Sequence, residues 1–238
     1  MKNIKYKILF IGLIFSNLLL SNINSSHQSV DVNILEESSD FIIVEYKINN
    51  FDINEIEINN EIFHNIELGK EPNFIIAKNP DLPHINRSFI IPDNSSINVS
   101  IITEEFDEYQ NINVIPSKGN LTRNLDINSI PYEKGLMYTK NVYFPGNLYS
   151  THDPYILRDF RGQVVQINPF QFNPHTSTLK VYDKVVIKIE FNGKNSINTY
   201  ANRIQNNDLS KDYYYIYSDR FLNFSSYQTR YDPIPEDG

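Results

Sequence analysis

The run from Gln163 to Phe191, QVVQINPFQFNPHTSTLKVYDKVVIKIEF, sets the fold class. Leu179, Val181, Val185, Ile187, Ile189 and Phe191 fall on one face of an extended chain, opposed by Lys180, Lys184, Lys188 and Glu190. A two-residue period places successive side chains on opposite faces of a strand. The slip in phase at Asp183-Lys184 predicts a bulge or an exposed strand end. Asn173-Pro174-His175-Thr176-Ser177 predicts a turn, so Gln163–Phe172 and Thr178–Phe191 read as a β-hairpin. Pro169 has no N–H to give to a ladder, which predicts a first arm that is bulged or lies at an edge.

The same alternation recurs upstream. Ile97, Val99 and Ile101 oppose Asn98 and Ser100; Ile42, Val44, Tyr46 and Ile48 form a third strand, and Ile56 and Ile58 a fourth. Half-buried strands in this number predict antiparallel sheets, each with one wet face. The expected fold is therefore all-β: an antiparallel β-sandwich, jelly-roll-like, with one short C-terminal helix. That helix is expected where Tyr213, Ile216, Tyr217, Phe221 and Phe224 share a helical face, capped at Ser210 or Asn207. Its aromatic stripe predicts a docking face, with Tyr213 and Tyr217 buried. Ser225 to Gly238 has no periodicity and reads as an exposed tail.

Composition narrows the chemistry. The 238 residues are 40% hydrophobic and 13% aromatic, enough for a real core. The absence of cysteine excludes disulfides, thiolate zinc sites and a cysteine nucleophile within this polypeptide. A formal charge of −8 argues against a nucleic-acid surface. Histidines 27, 64, 84, 152 and 175 lack metal-ligand spacing, so no metal or cofactor is expected. His152-Asp153 has no nucleophile-elbow serine beside it. Asp153, Arg158, Asp159 and Arg161 read as ion pairs that fix a turn rather than as an acid–base set. Glu104, Glu105, Asp107 and Glu108 around Phe106 read as a solvated strand end.

At the amino terminus Lys2, Lys5 and Lys7 precede an apolar run from Ile8 to Leu20 and a polar stretch of small residues. That pattern predicts a secretory signal peptide over residues 1–26, too short in its apolar part to span a bilayer. The mature protein is expected to be secreted, to the periplasm or beyond, with no membrane association after signal cleavage.

The stretch Asp153–Tyr182, DPYILRDFRGQVVQINPFQFNPHTSTLKVY, resembles the propeptide domain that precedes gingipain-type cysteine peptidases. Around it stand further landmarks in the same order: Pro116-Ser117-Lys118-Gly119, Ile130-Pro131-Tyr132, Phe144-Pro145-Gly146 and Arg230-Tyr231-Asp232-Pro233. The likeness is clear from about Asn79 onward. It implies a propeptide domain over residues 27–226 and, over 227–238, a processing linker with the start of a catalytic domain. It also implies no catalysis by this polypeptide, which would instead keep a gingipain-like catalytic domain latent, in cis or in trans, and aid its folding. Arg230-Tyr231 would then be the processing site, an exposed Arg–Xaa bond of the kind proteases favour; otherwise Arg230 is incidental to a C-terminal tail.

The resemblance also singles out the segment Lys118-Gly119-Asn120-Leu121-Thr122-Arg123-Asn124. No apolar period runs through it, so a surface loop is expected. In arginine-selective family members an arginine here mimics a substrate in the specificity pocket, which makes Arg123 the candidate inhibitory residue and Lys118 its counterpart for a lysine-selective enzyme. An ordinary solvated arginine is the alternative. Release is expected from cuts after Arg123 and Arg230. Two other readings compete: a free-standing secreted protease inhibitor, and a β-sandwich surface-binding module using Tyr213–Tyr217 and Tyr227 as stacking aromatics. Exposure of those tyrosines would favour the module.

Overall fold

A computed structural model describes residues 28–200 and 211–230. In chain order the strands are β1 (Val30–Glu37), β2 (Phe41–Ile48), β3 (Asp52–Ile58), β4 (Glu61–Glu67), β5 (Ile85–Ile90) and β6 (Ser96–Gln110). They continue with β7 (Tyr149–Thr151), β8 (Tyr155–Leu157), β9 (Phe160–Ile167), β10 (Phe170–Asn173) and β11 (Thr178–Asn192), before one helix, α1 (Lys211–Arg220). Every pairing within the sheets is antiparallel.

β11 organises the larger sheet. Along one edge it pairs with β6 from Thr178 to Asn192; along the other it pairs first with β10 and then with β2, which carries β1 outside it. The second sheet is built on β9, flanked by β5 on one edge and by β7 and β8 on the other. β3 and β4 form a separate hairpin. Between the sheets, Ile42, Val44, Tyr46 and Ile48 of β2 and Leu179, Val181, Val185, Ile187 and Ile189 of β11 meet Ile85, Phe89, Val165 and Ile167. These are the alternating positions expected from the sequence. Each such side chain, fully buried, contributes roughly 1.5–3 kcal/mol.

The predicted bulge falls where the phase slips. Tyr182 pairs with Phe106 and Lys184 with Glu105, leaving Asp183 unmatched. The predicted hairpin is shorter than its sequence suggests. Only Phe170–Asn173 pairs with β11, whereas Gln163–Ile167 belongs to the other sheet. Asn168-Pro169 is the corner at which the chain changes sheets. Pro169 ends one ladder, and Asn168 is satisfied there by donating its side chain to Asn147 O at 2.8 Å and accepting from Gln166 Nε2 at 2.8 Å.

The C-terminal helix is real but stops at Arg220. Tyr217 is fully buried and Tyr213 half-buried, while Ile216 is 45% exposed. Phe221 and Phe224 lie beyond the helix, yet both join Tyr217, Phe160 and Ile90 in a second aromatic cluster. Burial, with Asp159 accepting from Tyr217 Oη at 2.7 Å, holds the Tyr217 phenol well above its ordinary range. Gly162 leaves the room for Phe221: a Cβ there would lie 2.5 Å from Phe221 Cε1. The candidate capping residues Ser210 and Asn207 lie outside the described residues.

The charged group before β9 divides. Arg158 pairs with Asp159 at 3.6 Å and stacks 3.8 Å over the Tyr213 ring, fixing the turn as expected. Arg161 behaves differently. It is fully buried and donates to four backbone carbonyls: Pro92 at 2.9 Å, Ser95 at 2.7 Å, Ile197 at 3.1 Å and Asn198 at 2.9 Å. One guanidinium thus binds the loop after β5 to the loop after β11. Arg161→Met leaves those carbonyls without their donor and is expected to cost about 3 kcal/mol in urea unfolding. A loss below about 1 kcal/mol would show that the loops satisfy themselves.

His84 is a core histidine, its ring 4.6 Å from that of Phe74. Burial lowers its pKa below 6.5, against the opposite pull of Glu71. Below pH 6.5 the unfolded chain therefore binds a proton that the folded one refuses. Stability is expected to decline as pH falls from 6.5 toward the lowered folded value. His84→Phe should flatten that part of the pH profile in thermal unfolding; an unchanged slope would assign it to other groups.

Candidate functional site

The segment carrying Arg123 leaves the body of the fold through a short ladder. Asp81 N donates to Ile115 O at 2.9 Å, Ser117 N to Asn79 O at 2.7 Å, and Lys78 N to Ser117 O at 2.8 Å. The chain returns at Gly135, whose N–H donates to Lys78 O at 2.8 Å. The backbone of Lys78 therefore holds both ends of the excursion. Two glycines permit the close approach. A Cβ on Gly119, whose φ is +80°, would lie 2.8 Å from Ala77 Cβ, and one on Gly135 would lie 2.8 Å from Lys78 O.

Within these ends the loop is ordered by local bonds. Leu125 N donates to Thr122 O at 3.1 Å, closing a turn with Arg123 and Asn124 at its centre. Asp126 caps a single 3-10 turn, Ile127–Ser129, by accepting from Asn128 N at 3.0 Å. Lys118 Nζ donates to Ile127 O at 2.7 Å and sits 4.2 Å over the Tyr132 ring, joining the outgoing and returning arms. Lys78 pairs with Glu133 at 2.6 Å. Lys134 pairs with Glu61 and holds that carboxyl below its usual range.

The two candidate cations thus differ in situation. Lys118 is half-buried and engaged in tying the loop, whereas Arg123 is exposed at a turn and has no ion pair among the described residues. Exposed aliphatic side chains lie on this loop and in segments bonded to its two ends. Leu125 is 50% and Ile127 57% exposed, and the neighbouring segments add Ile75 at 63% and Leu136 at 80%. Sequence reading did not single out these exposed aliphatics because neither Ile75-Ile76 nor Leu136 lies in a periodic run. The loop's own signal was Gly119, where the chain leaves the body, and Gly135, where it returns.

The C-terminal candidates sit on a second feature. Asn223, fully buried, accepts from Ile90 N at 2.8 Å and donates to Ile90 O at 3.1 Å and to Glu37 at 3.2 Å. Leu222 N donates to Ser88 O at 3.0 Å, and Ser226 Oγ donates to Glu37. Phe224–Arg230 then forms a 3-10 helix, and Tyr227 packs 5.8 Å from the Phe160 ring. Ser225–Arg230 is therefore a wound and docked segment, not the start of a tail. Its one aromatic residue, Tyr227, finds a partner in the cluster under α1, which periodicity alone could not reveal. Arg230 closes the 3-10 helix, while Tyr231 and the rest of the expected linker lie outside the described residues, as does the 1–26 segment.

Other candidate chemistry thins out. Among the described residues no group of three His, Cys, Asp or Glu side chains is placed to hold a metal ion, and no helix is long and apolar enough to cross a membrane. Of the tyrosines that a stacking surface would use, Tyr217 lies in the second cluster and Tyr213, Tyr214 and Tyr227 pack against it, whereas Tyr215 is 59% exposed.

The propeptide model Propeptide_C25 matches residues 22–229. Gingipain R1 of Porphyromonas gingivalis is 36% identical over 160 residues, which is 66% of this chain and 15% of that protein. Gingipain R2 of the same species is 28% identical over 205 residues, 86% of this chain and 27% of that protein. The chain thus spans about a quarter or less of the curated relatives it matches. Among solved structures, a chain in the complex of P. gingivalis RgpB pro- and mature domains superposes with a TM-score of 0.74 at 27% identity, covering 82% of this chain and 97% of that one. A structure on zymogenic latency of gingipain K shares the fold, with a TM-score of 0.61 at 15% identity over 71% of this chain and 96% of its own. From the model match across most of its length, the chain belongs to the Propeptide_C25 family, the propeptides of gingipain-type cysteine peptidases.

Proposed function

We propose that this domain keeps a gingipain-like cysteine endopeptidase latent by presenting the Arg123 turn to its active-site cleft. The observation that carries the reading is the division of labour between the two cations: Lys118 closes the loop, and Arg123 stands exposed at its turn. An arginine entering a specificity pocket pairs bidentately with a carboxylate at its floor, a geometry that a lysine cannot reproduce. A loop already folded loses less entropy on docking than a free peptide of the same sequence. The exposed Leu125 and Ile127 of the same loop then supply apolar contact area around the pocket.

In this reading the domain performs no catalysis itself. It is exported behind the 1–26 signal segment, assists folding of the catalytic domain, and is released by cutting after Arg230. While the two domains share a chain, effective concentration makes modest affinity sufficient, and the cut removes that advantage. The relatives' names and the pro–mature complex support a mature peptidase domain as the partner. The same surface would serve in trans against a separate peptidase.

The test is a titration of an arginine-selective peptidase of this family with the purified domain. Losing one partner of a buried charged pair costs about 2–5 kcal/mol, so Arg123→Ala should weaken inhibition at least tenfold. Lys118→Ala removes a tie rather than the presented group and should weaken it by no more than about threefold. Unchanged inhibition by Arg123→Ala would remove the arginine from the mechanism. A larger loss with Lys118→Ala would transfer the role to Lys118.

A further inference from the structure

A peptidase cleft takes its substrate as an extended strand. The residues leading to the Arg230–Tyr231 bond are not extended. They lie in the 3-10 helix Phe224–Arg230, which starts directly after Asn223, the residue tied to Ile90 and Glu37. Tyr227, three residues before Arg230, packs on Phe160, and Ser226 donates to Glu37. Phe160 also meets Tyr217, Phe221 and Phe224, at ring distances of 4.9, 6.0 and 5.8 Å. The segment that must straighten for cutting is thus wound and pinned to the aromatic cluster.

We propose that cleavage after Arg230 is gated by local unfolding of this C-terminal turn, with Tyr227 and the Ser226–Glu37 bond as its fastening. The proposal rests on the reading of Arg230 as the processing site. To occupy a cleft, Gln228, Thr229 and Arg230 must leave the 3-10 conformation, and Tyr227 must come off Phe160. Asn223 can stay, because its bonds to Ile90 lie on the body side of the helix. When such opening is fast relative to cutting, the cleavage rate falls in proportion to the open fraction. The Arg123 turn is the internal contrast: it is exposed, and among the described residues no ring contact holds it. The propeptide therefore carries two arginines of unequal readiness, one displayed and one wound in. Anything that loosens the aromatic cluster hastens removal of the domain.

The gate can be measured without the parent peptidase. Native full-length chain is treated with trypsin, and cuts after Arg123 and Arg230 are followed separately by mass spectrometry, each normalised to its rate in urea-unfolded chain. The normalised cut after Arg230 is expected to be at least tenfold slower than that after Arg123. Tyr227→Ala should narrow the gap at least fivefold, and Ser226→Ala, which removes only a hydroxyl, should narrow it less. Equal normalised rates in the native chain would overturn the proposal, as would a gap that Tyr227→Ala leaves unchanged. Maturation of the parent precursor by a cut elsewhere would sink Arg230 as the processing site while leaving the trypsin result standing, so the two failures are distinguishable.

Discussion

β11 has backbone partners on both edges, and the rest of the domain is arranged around that condition. An unpaired N–H or C=O in the interior costs roughly as much as a lost hydrogen bond. β11 avoids that cost by pairing with β6 along its whole length and with β10 and β2 in succession. The bulge at Asp183 matters here. It lets β11 follow β6 through a twist while the aliphatic face from Val185 to Ile189 stays in the core. The changeover from β10 to β2 on the other edge requires a corner, which Asn168-Pro169 provides.

Much of this was legible from residues alone, because the physics behind it is local. Alternation in β2 and β11 depends only on which side chains share a face, and both strands lie where it placed them. The phase slip at Asp183 was visible for the same reason. Pairing was less legible. Nothing near Gln163 tells that β9 turns away from β11 to join β5, since that outcome depends on Phe89 and Ile85 lying opposite it. The helix was read one turn too long because Phe221 and Phe224 keep helical spacing; they reach the same cluster from a bridge and a 3-10 turn. Arg161 was the least legible residue. A fully buried guanidinium satisfied by carbonyls leaves no trace in sequence, as its partners are backbone atoms from four distant positions.

The candidate loop shows the same division between local and distant causes. Its existence followed from a lack of apolar period, and its landmarks followed from resemblance. Its stiffness did not, because it comes from Lys78, which is remote in sequence and bonds both arms through its main chain. The C-terminal segment is the converse case. It looked featureless beyond Ser225, yet Asn223 anchors its start with a side chain that pairs to Ile90 as another strand's backbone would. The loop is joined to a distant stretch by main-chain atoms alone, and the C-terminal segment by an amide side chain that meets the main chain of Ile90.

That main-chain fastening has an evolutionary meaning. Because Lys78 holds the two arms by its own N–H and C=O, with Gly119 supplying clearance and a left-handed backbone and Gly135 clearance, the tip residues between them carry little of the domain's stability. The tip can drift in length and identity while the frame stays put. On the proposed role of Arg123, a lineage whose peptidase changed its preferred residue would need to rewrite only a few codons near it to keep its propeptide matched. On that proposal the domain is a standing mount with an exchangeable bit.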